Sequence, residues 1–407
     1  MVDPLPLRLD HVVLPVHYDL RFDLDLDAGT WTGHTEITVV ASEAVDRVRL
    51  HALGLEITDA RLHHDQGRDV PLRVEYHPDD EQVVLHVPGP VGPGQLWLEL
   101  TTQGSLNDQL VGLYRSQFTT TDETGVSTEH TVAVTQFEST HARCAFPCFD
   151  EPEFKASFSI SVVADTDQLV VSNTAERSRT DLGDGRTLTE FAPTIPMSTY
   201  LVALVVGPLE ATPVRTSRAP SATGLRVVGP PGNHHLTGFA LDVADAALEY
   251  FEDYYDIAYP GDKLDLVAVP DFSFGAMENL GCVTFREVLL LIDPDDSTQS
   301  EQQRVADVVN HEIAHMWFGD LVTMRWWNGL WLNEAFATFM EVSASDAFRP
   351  EWDCWTAFGQ LRSGAFDTDA LASTRPVEYP VRTPADAEGM FDVLTYEKGC
   401  SVLRMLE

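Results

Sequence analysis

An antiparallel β domain followed by an α+β domain is the fold class predicted by this sequence, and three observations predict it. Up to about residue 207 apolar residues recur at every second position in short runs parted by Gly, Pro and Asp, as half-buried strands require. From residue 236 onward long segments with helical spacing alternate with a few strands. Between them lies a Pro- and Gly-rich stretch, residues 212–234, that suits neither period. The boundary is therefore expected near 207, giving domains of residues 1–207 and 208–407. A length of 407 residues with 44% hydrophobic content leaves room for two real cores.

The elements follow in order. YDLRFDLDLD (18–27) sets Tyr18, Leu20, Phe22, Leu24 and Leu26 on one face and charges on the other. Comparable strands are expected at 35–40, 83–87, 96–101, 131–137, 158–163, 169–173 and 199–207. So many short strands imply a sandwich or saddle-like antiparallel assembly. In the second part a helix is expected at 236–255, strands at 264–270 and 288–293, and helices thereafter. Residues 394–407 read as a helix under way with no Gly, Asn or Pro to end it, so this domain is expected to be incomplete at its C-terminus.

The charge narrows the function. With 26 Lys+Arg against 64 Asp+Glu the net charge is −38, which argues against nucleic acid and anionic membrane surfaces as partners. The apolar stretch 200–206 falls far short of the roughly 20 residues that span a bilayer, so a soluble protein is expected. Five cysteines are odd in number and sparse, and MVDPLPLRLD has no basic end or apolar run. Both features predict a reducing compartment and a cytoplasmic location.

Chemistry enters at His311-Glu312-Ile313-Ala314-His315. Thr298 with Glu301 reads as a capping box, and no Gly or Pro follows until Gly319, so the segment is predicted to be a helix. Val305, Val309, Ile313 and Met316 make its apolar stripe, while His311 and His315 project together from another face. Two imidazoles one turn apart bind a Zn²⁺ ion, and the adjacent Glu312 reaches a water beside it. A catalytic zinc takes three protein ligands and keeps a position open. After His315 eighteen residues intervene before Glu334, which lies on a second predicted helix that would supply the third ligand when packed antiparallel against the first. Ligand type points to zinc, with other divalent ions left open.

HEIAH followed, with eighteen residues between His315 and Glu334, by Asn333-Glu334-Ala335-Phe336-Ala337 resembles the gluzincin arrangement of the M1 aminopeptidase family, the aminopeptidase N type. Gly275-Ala276-Met277-Glu278-Asn279 matches the family's exopeptidase motif. Residues 135–158, 196–207 and 395–406 resemble it as well, so the likeness spans most of the chain. Gly329 stands where several members carry Asp, and Ala335 where several carry Gly. The resemblance implies a thermolysin-like catalytic domain with one zinc per chain, acting on peptides with a free N-terminus. It implies that Glu312 is the general base and that Glu278 anchors the substrate's ammonium group by charge-assisted hydrogen bonding. Gly275, Ala276, Met277 and Asn279 would then border the extended substrate. By the same resemblance Glu138 supplies a second amine contact, and Tyr396 donates a hydrogen bond to the oxyanion of the tetrahedral intermediate. An endopeptidase, or a noncatalytic peptide-binding relative, would share part of this pattern. The first has no use for the amine-binding carboxylates, and the second would be expected to lose a ligand or the base.

Overall fold

The structure, a computed structural model, describes residues 5–64 and 69–407. Two compact units emerge, one ending at Pro208 and the other running Leu209–Glu407.

In the first unit an eight-stranded sheet is built around Val13–Asp25, Thr30–Ala41, Gly94–Ser105 and Ser157–Asp165. Alternation along Val13–Asp25 buries Tyr18, Leu20, Phe22 and Leu24, and the ring of Tyr18 stacks on that of its register partner Phe158 at 4.8 Å. That one pairing is parallel, a departure from an all-antiparallel domain that arises because Ser157–Asp165 comes back from far along the chain. A four-stranded sheet holds Leu169–Ser172, Leu204–Gly207, Ser127–Gln136 and Gly112–Thr121. A three-stranded sheet holds Val45–His51, Gln82–Val91 and Arg73–His77. The expected strand 199–207 forms only in its second half: Thr199–Leu201 is a 3-10 turn. Side chains outcompete the ladder there, since Thr199 Oγ1 donates to Asp150 Oδ1 at 2.6 Å and Asn173 bonds both Leu201 O and Ala203 N.

The second unit opens with a mixed sheet in the order Glu210–Ala211, Gly224–Gly229, Leu264–Val269, Cys282–Arg286 and Ala276–Met277. Leu264–Val269 is buried along its whole length, as a central parallel strand should be. Its Asp265 is tolerated because Arg226 and Lys263 both pair with it. The strand expected at 288–293 is absent. Glu287–Leu289 forms a 3-10 turn, with Leu291 N bonded to Glu287 O at 2.8 Å, and the strand lies earlier at Cys282–Arg286. A short all-apolar run has no period of its own, so neighbours decide its state.

Six α-helices are found among the described residues: α1 (Gly238–Tyr255), which lies between Gly224–Gly229 and Leu264–Val269, and after the sheet α2 (Gln299–Ala314), α3 (Leu330–Phe348), α4 (Cys354–Asp369), α5 (Pro384–Glu388) and α6 (Gly399–Arg404). Immediately before α6, Leu394–Lys398 winds as a π turn. Among the described residues no helix is long and apolar enough to cross a membrane.

Candidate metal centre and active site

Helix α2 begins at a complete capping box. Glu301 N donates to Thr298 Oγ1, and Glu301 Oε2 accepts from Thr298 N at 2.9 Å, which satisfies two amides that the helix itself leaves unpaired. Val305, Val309 and Ile313 are buried and fix the helix's rotation. The α-helix closes at Ala314, so His315 is its C-terminal cap residue and keeps helical backbone angles. Its side chain thereby stays one turn from His311, and the two rings lie 4.7 Å apart at 77°.

Glu334 arrives in the first turns of α3. Its Oε2 lies 3.3 Å from His311 Nε2 and 3.5 Å from His315 Nε2. The donor atoms of His311, His315 and Glu334 all fall within 4.8 Å of one another. The far nitrogens of the rings are occupied. His311 Nδ1 meets Glu341 Oε2 at 2.8 Å, and His315 Nδ1 meets Phe318 O at 3.0 Å and Asn333 Oδ1 at 3.1 Å. Each Nε2 is therefore presented to the common point with its tautomer set from outside. Two imidazoles and one carboxylate so arranged are a donor set that fits a divalent ion of the zinc type.

Burial and charge act together on these groups. Burial opposes protonation of His311, but hydrogen bonds to Glu334 and Glu341 outweigh it and push the ring up to about 10. The His315 ring is raised too, because Glu278 and Glu334 overcome its desolvation. Burial by itself would raise the Glu334 carboxyl, yet the two histidines bring it below its ordinary range. Glu312 goes the other way. It is raised, first by burial and then by the neighbouring carboxylates of Glu278 and Glu334, against the pull of the histidines. Its Oε2 is buried and has no hydrogen-bond partner among the described residues, as expected of a carboxylate shaped to meet a molecule from outside the chain.

Glu278 lies in the turn after the short strand Ala276–Met277, which pairs with Cys282–Arg286 through Ala276↔Phe285 and Met277↔Thr284. It is buried, and Asn333 Nδ2 donates to its Oε1 at 3.1 Å and to Glu334 Oε1 at 3.3 Å. Glu278, Glu312 and His315 offer donor atoms within 4.8 Å of one another. Asn279 faces inward, with Nδ2 donating to Thr284 Oγ1 at 3.3 Å, so it braces the turn. Gly275 is exposed and its O accepts from Arg286 N; a Cβ there would meet only Leu289 Cδ1 at 3.5 Å, an ordinary contact. Tyr396, on the π turn, has its ring centre 5.9 Å from that of His311. Glu138 belongs to the first unit, where it lies two residues beyond the end of the strand Ser127–Gln136 and is buried. The segment after it is shaped by Arg143, which pairs with Asp150 and Glu81 at 2.8 Å each.

Three supporting residues escaped the sequence reading. Glu341 is seven positions after Glu334, two turns along the same face of α3, and that spacing was the available signal. Asn333 stands next to Glu334 but gave no separate sign. Gly319 has φ of 140°, and a Cβ on it would lie 2.4 Å from Asn333 Oδ1. Only glycine lets the chain turn so close behind His315. The two unusual positions are packing sites. Ala335 abuts Gly399, where a Cβ would come within 2.6 Å of its own, and Gly329 is the N-cap of α3.

Comparison with known proteins accords with this geometry. A profile described as the Peptidase family M1 domain matches residues 239–407, and one described as the Peptidase M1 N-terminal domain matches 14–201. The chain is 40% identical over 400 residues to Aminopeptidase M1-C of Oryza sativa subsp. japonica, covering 98% of this chain and 44% of that protein. It is 41% identical over 404 residues to the Puromycin-sensitive aminopeptidase of Caenorhabditis elegans, covering 98% of this chain and 42% of that one. To Endoplasmic reticulum aminopeptidase 1 of Homo sapiens it is 40% identical over 404 residues, with the same 98% and 42%. The chain thus spans under half the length of these curated relatives. With both profiles in the family's order and the HEIAH and Glu334 donors converging in one unit, the chain belongs to peptidase family M1.

Proposed function

We propose that this chain carries the catalytic centre of a zinc-dependent aminopeptidase, hydrolysing the first peptide bond of peptides with a free N-terminus. The observation that carries the proposal is the buried Glu312 Oε2, without a hydrogen-bond partner among the described residues, beside the triad of His311, His315 and Glu334. Those three residues would hold the ion. When bound, zinc supplies Lewis-acid polarisation of the scissile carbonyl and acidifies the attacking water.

The chain's own residues do the rest. Glu312 accepts the proton of the attacking water and passes it to the leaving amine; its raised proton affinity suits both transfers. Tyr396 donates a hydrogen bond from its phenol to the developing oxyanion. Glu278, held by Asn333, receives the substrate's ammonium group, and Glu138 is its partner by family likeness. An anchored terminus lets only the first peptide bond reach the reacting groups. Five free thiols support a reducing, cytoplasmic setting.

The test uses zinc-loaded protein with a pair of peptides that differ only by N-terminal acetylation. Release of single amino acids from the free peptide, lost with chelator and absent from the acetylated one, is expected. Equal cleavage of both would mark an endopeptidase and discard the amine anchor.

A further inference from the structure

The oxyanion donor sits on an irregular turn, and irregular turns keep their shape only when something outside them holds it. Lys398 N donates to Val393 O at 3.1 Å, five residues back, so Leu394–Lys398 contains one residue more than an α turn. The extra residue offsets side-chain directions by about 100°, and the direction of Tyr396 depends on it. At the start of the turn, Leu394 N and Thr395 N donate to Asp392 Oδ1 at 2.9 and 3.2 Å. From a distant stretch of chain, Arg375 Nη2 donates to that same oxygen at 2.6 Å, to Thr395 Oγ1 at 2.9 Å and to Met390 O at 3.1 Å. At the other end, Lys398 Nζ donates to Asp369 Oδ1 at 2.6 Å and to Arg375 O at 3.1 Å. Residues 369–375 therefore grip both ends of the turn that carries Tyr396.

We infer that Arg375 is a positioning residue for Tyr396: through Asp392 and Thr395 its guanidinium holds the π turn that aims the phenol. None of its hydrogen bonds goes to His311, His315, Glu334 or Glu312, so it acts through the turn alone. The planar fork matters, because Nη2 serves the carboxylate, hydroxyl and carbonyl of the turn with one of its two hydrogens shared, while Nη1 donates to Pro376 O and Val377 O, a two-nitrogen span that a single ammonium does not reproduce. The inference rests on reading Tyr396 as the oxyanion donor.

The experiment compares zinc-loaded parent, Arg375→Gln, Tyr396→Phe and the double variant on a free-N-terminus peptide, together with amide exchange over residues 392–399. Arg375→Gln is expected to lower kcat about 10- to 100-fold, the scale of a misplaced catalytic group, with KM within about twofold. In the Tyr396→Phe background the same change should cost less than about threefold, since the phenol it aims is gone. Exchange at Leu394 and Thr395 should quicken while α2 keeps its protection. Arg375→Lys should recover only part of kcat. If Arg375→Gln does not fold, Thr395→Val removes one of its contacts with far less disturbance and should lower kcat the same way, to a smaller extent. Unchanged kcat, or an equal loss with and without Tyr396, overturns the inference. Should the zinc-loaded parent release no amino acid, it is the aminopeptidase reading that fails. Exchange then decides alone, and identical rates in Arg375→Gln and parent overturn the clamp.

Discussion

His311 and His315 are chemically alike, yet different partners hold them. A carboxylate, Glu341, stands behind His311, whereas a backbone carbonyl and the Asn333 amide stand behind His315. Loss of the carboxylate weakens the basicity and aim of one ligand only. Glu341→Gln is therefore expected to reduce zinc affinity about 10- to 100-fold while leaving fold and secondary structure intact, as chelator competition would measure. An affinity equal to that of the parent would remove Glu341 from the centre's support. Glu312 is separable in the opposite sense, because it is not one of the three residues proposed to hold the ion. Glu312→Gln should lower kcat by about 10²- to 10⁴-fold with bound zinc unchanged by elemental analysis. Undiminished turnover in zinc-replete Glu312→Gln would end its role as base. The same residues show the reach of sequence reading. His311, Glu312, His315 and Glu334 were legible from spacing; the seven-residue step from Glu334 put Glu341 on the same face of α3 but could not give it a role, and Asn333 gave no sign, because an amide or a carboxylate on a helix looks the same whether it faces solvent or an imidazole.

Helix α2 was legible as an element, since a capping box and an apolar stripe declare a helix locally, and α3 was legible as a helix without a capping signal of its own. Their pairing adds a group that no local pattern reveals. Asp307, one turn before His311, is pushed up to about 7, first by burial and then by the charge of Glu341, against hydrogen bonds from Ser345 and Gln303. In the unfolded chain an aspartate titrates near 3.9. Between that pH and about 7 the folded chain binds more protons than the unfolded one, so this group's contribution is greatest at low pH and is lost as pH rises through the interval. Asp307→Asn stays neutral throughout. Its stability relative to the parent should therefore increase from pH 5 to pH 8, read as the difference between urea midpoints. A difference that does not change with pH would show that Asp307 titrates normally. The segments 199–207 and 288–293 were misread for the reason that governs the π turn. In each, bonds within a turn or from distant side chains override the preference of a short apolar run.

At the scale of the whole molecule the dominant quantity is a net charge of −38 carried by a 407-residue chain. Self-repulsion of that size disfavours compact states and is screened by salt, with a Debye length falling from about 10 Å at 0.1 M to 3 Å at 1 M. Melting temperature should rise by several degrees between 0.05 and 1 M KCl. A flat or falling profile would mean that local ion pairs, such as Arg143 with Asp150, matter more than the global charge. The sequence by itself determined the order of β and α+β parts, the helix with two histidines on one face, and the chemical kinds of the donors. Periodicity and spacing are local properties that the chain carries wherever it goes. Only the tertiary structure decided that three donor atoms meet, which residues stand behind them, and where the Tyr396 ring lies. Those outcomes depend on how α3 seats against α2 and on a turn held by Arg375, and contacts between residues far apart in the chain leave no period to read.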